Sequence, residues 1–250
     1  MDGGMMIDEI ICGDCLDVMR DIPDNSVDLV VTSPPYNLGG DFHTMINGSR
    51  VSYGYSSFGD NMPELDYQEW QIEVINECHR IIKPNGNMFY IHKNRLKEFR
   101  IISPFEWLLK TKMIIRQEVI WDTTIEMNQD NRRFVPCHEK IFWLSKNTTY
   151  LQNDLRLQDC WVFRNKLKRA EAGHPATYPI EIIMNIIELC PDADLVLDPF
   201  LGSGTTAVAC INLDRHYVGI ELSEEYCEIA EKRVADAKMV RYRQPELFEM

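Results

Sequence analysis

Thr32-Ser33-Pro34-Pro35-Tyr36 sets a hydroxyl, two prolines and a phenol ring where the apolar run Asp28-Leu29-Val30-Val31 would otherwise continue as a buried strand. Prolines cannot donate to a sheet ladder and they fix φ, so the strand must end there. Taken alone, these residues describe a strand-ending turn. A second stretch, Asp194 to Ala209, says more. A strand runs into Asp198-Pro199-Phe200, Gly202 and Gly204 flank Ser203 in a tight turn, and Thr205-Thr206 open a helix. Such glycines let the backbone approach a ligand, and a helix start offers unpaired N–H donors. The following strand, His216 to Glu221, ends on a carboxylate suited to ribose hydroxyls.

Three ligand classes compete for the glycine turn. A phosphate-binding P-loop needs a lysine after its glycines, and none follows Gly204. The run Gly202 to Ala207 satisfies the dinucleotide pattern G-x-G-x-x-A, but Glu221 arrives sooner than the roughly 20 residues that fingerprint expects. A dehydrogenase opening with this turn would also lack chain for its second half. The third class is S-adenosylmethionine, whose ribose needs a carboxylate and whose methionine end needs a close backbone turn. A bare structural turn is the alternative to all three.

The elements that must position these groups follow from hydrophobic periodicity. Strands are expected at 7–13, 27–32, 86–92, 113–121, 138–145, 194–199 and 216–221, and helices at 66–82, 95–110, 179–190, 204–213 and 223–238. Asp66 is the expected N-cap of the first of these helices, and Ser223 starts the last. Alternating strands and helices predict one α/β domain over 1–250. No period survives across 37–64, which reads as a mobile loop after the proline turn, and 147–173 is polar and basic.

Composition excludes several classes. No apolar run is long enough to span a membrane, and the acidic start is no signal peptide. A cytoplasmic setting is expected, with all eight cysteines as reduced thiols. Cys12 and Cys15 form a C-x-x-C pair without further ligands at metal spacing, so no metal is expected. The net charge of −13 opposes nucleic-acid binding except through local patches. Such patches are Arg164, Lys166, Lys168 and Arg169 in one stretch and Arg132 with Arg133 in another.

Thr32 to Tyr36, Asp198 to Thr206 (DPFLGSGTT) and His174 to Pro179 (HPATYP) together resemble the amino-group DNA methyltransferases, which act on adenine N6 or cytosine N4. The catalytic motif precedes the cofactor motif, as in the beta class of that family. The resemblance covers nearly the whole chain, with GDCLDVM at 13–19 and CHEKIFWLSK at 137–146 as supporting elements. It implies a Rossmann-like, mostly parallel seven-stranded sheet with one reversed strand, circularly permuted so that its usual first two strands come from residues 194–221.

The cofactor so implied is S-adenosyl-L-methionine. Asp198, Pro199, Phe200, Gly202, Ser203 and Gly204 would surround its methionine part, with Thr205 and Thr206 contributing hydroxyl and N–H groups. Glu221, followed by Leu222, would hold the ribose, Asp14 and Cys15 would meet the adenine edge, and His174, Pro175, Ala176 and Thr177 would close over the carboxylate. Tyr178 stands where many relatives carry lysine.

The resemblance also gives the proline turn a task. An exocyclic amino group is a poor nucleophile, and accepting its N–H bonds favours a pyramidal, reactive nitrogen. Ser33 Oγ and the Pro34 carbonyl are the implied acceptors, Pro35 stiffens the turn, and Tyr36 stacks on a base extruded from the duplex. Cytosine C5 chemistry would need a Pro-Cys nucleophile, and Pro136-Cys137 lies between the wrong strands. Serine at position 33 is commoner among the cytosine-N4 members. Double-stranded DNA is the implied partner, contacted by the basic residues above, with a cognate restriction endonuclease and a second copy of the chain as further partners. An RNA methyltransferase and a non-catalytic DNA-recognition subunit are the alternatives.

Overall fold

The computed structural model describes residues 6–38, 42–46, 49–53, 60–123, 134, 136–154, 156–163 and 178–243. Its centre is an eight-stranded sheet. The strands are β1 (Glu9–Cys12), β2 (Val27–Thr32), β5 (Ile82–His92), β8 (Ile114–Asp122), β9 (His138–Ser145), β10 (Cys160–Val162), β11 (Leu195–Asp198) and β12 (His216–Glu221). Their spatial order is β1-β12-β11-β2-β5-β9-β8-β10. Every pairing is parallel except the two made by β9, which runs against both β5 and β8. The expected reversed strand and permuted order are therefore present. The eighth strand, β10, lies in the basic segment and is held by Trp161, which is buried and donates its indole N–H to the Gln158 carbonyl at 2.6 Å.

Central strands are apolar on both faces, as a parallel sheet covered by helices requires. Leu29 and Val31 of β2 point into a core shared with α4 (Ile180–Glu188), α5 (Thr205–Asn212) and α6 (Glu224–Arg243). Val27 and Val30 point the other way, toward α1 (Cys15–Arg20), α2 (Glu64–Ile81) and α3 (Phe105–Leu108). A register shift between Val27 and Leu29 explains why the alternation skips a residue. Helix α2 buries Tyr67, Gln71, Val74, Cys78 and Ile81, spaced three or four apart on one face.

Four expectations are corrected. Helix α2 is capped at Pro63, and Asp66 lies inside its first turn. Helix 95–110 is instead a hairpin, β6 (Arg95–Lys97) with β7 (Arg100–Ile102), followed by the single turn of α3. The segment 37–64 is not structureless: it carries the antiparallel pair β3 (Phe42–Ile46) and β4 (Ser49–Tyr53). Its neck is clasped, because the Asp60 carboxylate accepts from the Asn37 and Leu38 amides while Asn37 exchanges two bonds with Met62 at 2.7 and 3.0 Å. Finally, Cys12 and Cys227 are joined as a disulfide, since β1 ends beside the first turn of α6 with a Cα separation of 6.2 Å. The other six thiols are free. No helix among the described residues is long and apolar enough to cross a membrane.

Candidate active site

Strands β11 and β2 are neighbours, but the chain leaves them in opposite directions, to β12 on one side and β5 on the other. Such a reversal opens a crevice at the carboxyl ends of the strands, where ligands of open α/β sheets bind. Both motifs arrive there. Thr32 ends β2, Asp198 ends β11, and the Thr32 hydroxyl donates to Asp198 Oδ1 at 2.8 Å, fully buried.

Past Thr32, Ser33 and Tyr36 fold back on one another, their hydroxyl oxygens 2.9 Å apart. The Tyr36 hydroxyl donates to Glu139 Oε2 at 3.0 Å. That donation leaves the Tyr36 oxygen as the acceptor for Ser33, so the proton order runs Ser33 to Tyr36 to Glu139. Ser33 Oγ then keeps its lone pairs for an incoming N–H. Glu139 reaches this edge because β9 is reversed: its first residues, not its last, lie level with the carboxyl end of β5, His92 opposite Lys140.

A second chain of bonds stiffens the turn from behind. Tyr67 donates to the Pro35 carbonyl at 2.7 Å and lies 2.8 Å from His92 Nε2. Burial pushes His92 down to about 3, which keeps the imidazole neutral. Its Nδ1 lies 2.8 Å from both the amide nitrogen and the carbonyl oxygen of Lys93, so both ring nitrogens are engaged and the imidazole is fixed in place. The His92 ring also lies 4.4 Å from the Tyr36 ring. Pro34 is buried beside these groups.

At the cofactor motif, Gly202 and Gly204 both take positive φ, 56° and 87°. A Cβ on Gly204 would sit 3.0 Å from that of Ala230, so α6 packs directly on the turn. Arg233 of α6 fixes the turn further, donating to the Ser203 carbonyl and hydroxyl at 2.5 and 2.8 Å. Glu221 Oε2 accepts the Gly202 amide and Oε1 accepts the Ser223 amide, at 2.8 and 2.9 Å. A carboxylate has about four acceptor sites, so two of these bonds leave room for ribose hydroxyls. With Phe200 edge-on to Trp70 at 5.5 Å, this donor and acceptor set fits S-adenosylmethionine.

Asp198, expected beside the methionine part, is also fully engaged by the protein. Its oxygens accept from Thr32, the Phe200 amide, Thr206 at 2.6 Å and Tyr178 at 3.3 Å. Burial nevertheless pushes it up to about 6. Asp198 ties the two strand ends and the start of α5 together. Tyr178, in the place of the family's lysine, adds a hydroxyl 3.0 Å from Thr206 Oγ1. Asp14 serves as the N-cap of α1, accepting from Leu16 and Asp17, while the Cys15 side chain is buried in the core. Pro199 is buried, and Leu222 is exposed beyond the strand tip.

The structure thus brings together Ser33, Pro34, Pro35, Tyr36, Asp198, Phe200, Gly202 to Thr206 and Glu221. His174 to Thr177, Arg132, Arg133, Arg164, Lys166, Lys168 and Arg169 lie outside the described residues. Sequence reasoning gave no role to Glu139, His92 or Tyr67, although Glu139 lies within the CHEKIFWLSK stretch. The one available signal was an acid heading a strand reversed against its neighbours.

A DNA methylase family model, covering the N6 and N4 types, matches residues 27–232. Among curated proteins, the type II methyltransferase M.BglII of Bacillus subtilis is 32% identical over 264 residues, covering 90% of this chain and 68% of that protein. Among solved structures, the cytosine-N4-specific PvuII DNA methyltransferase superposes with a TM-score of 0.73 at 18% identity, covering 98% of this chain and 94% of that one. A putative DNA modification methylase from Thermus thermophilus, complexed with S-adenosyl-L-methionine, gives a TM-score of 0.64 at 20% identity, with 92% and 95% covered. The last two share the Rossmann-like α/β fold. With more than four-fifths of its length matched and a crevice built from the two diagnostic turns, the chain belongs to the N6/N4 DNA methylase family and is an S-adenosylmethionine-dependent methyltransferase of exocyclic base amino groups.

Proposed function

We propose that the target atom is cytosine N4 in double-stranded DNA, held at Ser33-Pro34-Pro35-Tyr36. The observation that carries this reading is Ser33 itself, a neutral acceptor whose proton is committed to Tyr36. The name of the PvuII enzyme, cytosine-N4-specific, supports the same choice. S-adenosylmethionine, when bound, supplies an electrophilic methyl group. Gly202 to Thr206 would hold its methionine part, Glu221 its ribose, and Asp14 would orient the loop at its adenine. Closure over the carboxylate is assigned to His174–Thr177.

Ser33 Oγ and the Pro34 carbonyl accept the two amino N–H groups, while the Tyr36 ring lies against the base. The amino nitrogen then gives up one proton to Ser33 Oγ. Ser33 passes its own proton to Tyr36, and Tyr36 passes its own to Glu139. One proton enters and one arrives at the carboxylate, so the chain ends as it began apart from a protonated Glu139. Positioning of this kind can contribute roughly 7–11 kcal/mol to a transfer step.

Arg132, Arg133, Arg164, Lys166, Lys168 and Arg169 are assigned to DNA phosphates, with 147–173 as the target-reading segment. A cognate restriction endonuclease, a homodimer and a cytoplasmic location complete the proposal. The deciding experiment transfers labelled methyl groups to DNA, digests it and separates the nucleosides. Label in N4-methyldeoxycytidine is expected, and label confined to N6-methyldeoxyadenosine would overturn the choice of base.

A further inference from the structure

We infer that the β6–β7 hairpin, Arg95 to Ile102, is a DNA-contacting wedge, with Phe99 pressed against the duplex beside the extruded base and Lys97 and Arg100 on its phosphates. This rests on the catalytic edge as read above, because the hairpin grows directly from it. Arg95 Nη1 lies 3.5 Å from the carbonyl of Asn37, the residue after Tyr36. The guanidinium is buried, clamps Glu64 at 2.7 and 2.9 Å, and lies 4.6 Å from the Tyr67 ring centroid. The base of the hairpin is therefore fixed to the same tyrosine that holds Pro35.

The tip breaks three local rules at once. Glu98 and Phe99 form the turn with φ of 50° and 64°, the left-handed region that asparagine and glycine normally fill. Phe99 is 96% exposed, and the cross-strand pair Leu96 and Ile101 is exposed behind it. Lys97 and Arg100 face each other directly in the last rung, an arrangement that like charges disfavour. Glu64 lies 3.9 Å from Lys97 and offsets little of that repulsion. Sites where local preferences fail together are where function is expected.

A polyanion with apolar base steps satisfies all three features, since phosphates neutralise the paired cations and a base step receives the ring. Apart from Arg95, whose charge is met by Glu64, residues 93–100 contain Lys93, Lys97 and Arg100 against Glu98 alone, in a chain whose net charge is −13. Two strand steps from Arg95 to Lys97 carry the tip roughly 7 Å beyond Arg95 before the turn, the span of about two base pairs.

The test compares wild type, F99A, F99W and K97A/R100A for binding to a short unmethylated duplex across a salt series, each also in an S33A background so that binding is read without turnover. F99A should weaken binding by at least about fivefold and F99W should restore it. K97A/R100A should reduce the salt slope by about 2. Cofactor affinity should stay within twofold. Equal binding by wild type and F99A overturns the wedge, as does a changed sedimentation coefficient in F99A with DNA binding intact, which would assign the face to a second copy. If the hairpin variants lose binding while wild type labels no base, the wedge stands and the catalytic reading fails.

Discussion

Tyr36 donates its phenolic proton to Glu139 across 3.0 Å, although the two residues are 103 positions apart in the chain. The contact exists because one strand runs backwards. It converts a serine that would otherwise be a plain hydroxyl into one whose proton has a fixed destination.

If Ser33, Tyr36 and Glu139 work as one chain, E139Q and Y36F should each lower kcat roughly 100-fold with cofactor affinity unchanged. The double variant should be no slower than the slower single variant. Multiplying losses, read by single-turnover methylation, would show two independent roles.

Ser33→Ala removes an acceptor that gains strength as positive charge grows on the amino nitrogen. Turnover should fall about 10- to 150-fold while the dissociation constant for S-adenosylmethionine, from calorimetry, moves less than twofold. Parallel loss of both would make Ser33 a structural residue.

Asp198→Asn sets an NH2 group against hydroxyl and amide donors that now point at a carboxylate. Unfolding in urea should show a loss of about 1–3 kcal/mol, and cofactor affinity should fall with it because the glycine turn starts at this residue. An unchanged midpoint would mean the four donors find other partners.

The His92 imidazole is held at about 3, below its ordinary value of 6.5, so the folded state binds fewer protons than the unfolded chain between those limits. Its contribution is complete above 6.5 and is lost as pH falls toward 3. Relative to H92Q, wild type should lose about 2 kcal/mol of its advantage between pH 6.5 and pH 5. Asp198, raised to about 6, acts in the opposite sense but is common to both proteins and cancels in the difference. A pH-independent difference would show that His92 titrates normally.

The strands were legible because β2, β11 and the Met88–Ile91 part of β5 are buried on both faces and read as short, mainly apolar runs beside turn residues. Both turns were legible because proline and glycine act locally. Residues 95–110 misled for a physical reason: Leu96, Phe99, Ile102 and Trp107 imitate helical spacing, and Glu98-Phe99 lacks the asparagine or glycine that announces a hairpin. Glu139, His92 and Tyr67 were invisible because their roles depend on strand order, which periodicity does not encode. A carboxylate at a strand tip can face the ligand or the protein, and at Asp198 the neighbours Thr32 and Tyr178, invisible to local sequence, both donate to it.

The Thr32–Asp198 hydrogen bond has a bearing on how the protein is made. Its two partners are 166 residues apart. At a ribosomal pace of roughly 5–20 residues per second, β2 waits on the order of 8 to 33 s for the strand that covers its second edge. Through that interval the nascent chain carries an uncovered apolar strand ending in the finished catalytic turn, so premature pairing is the hazard this gene order accepts.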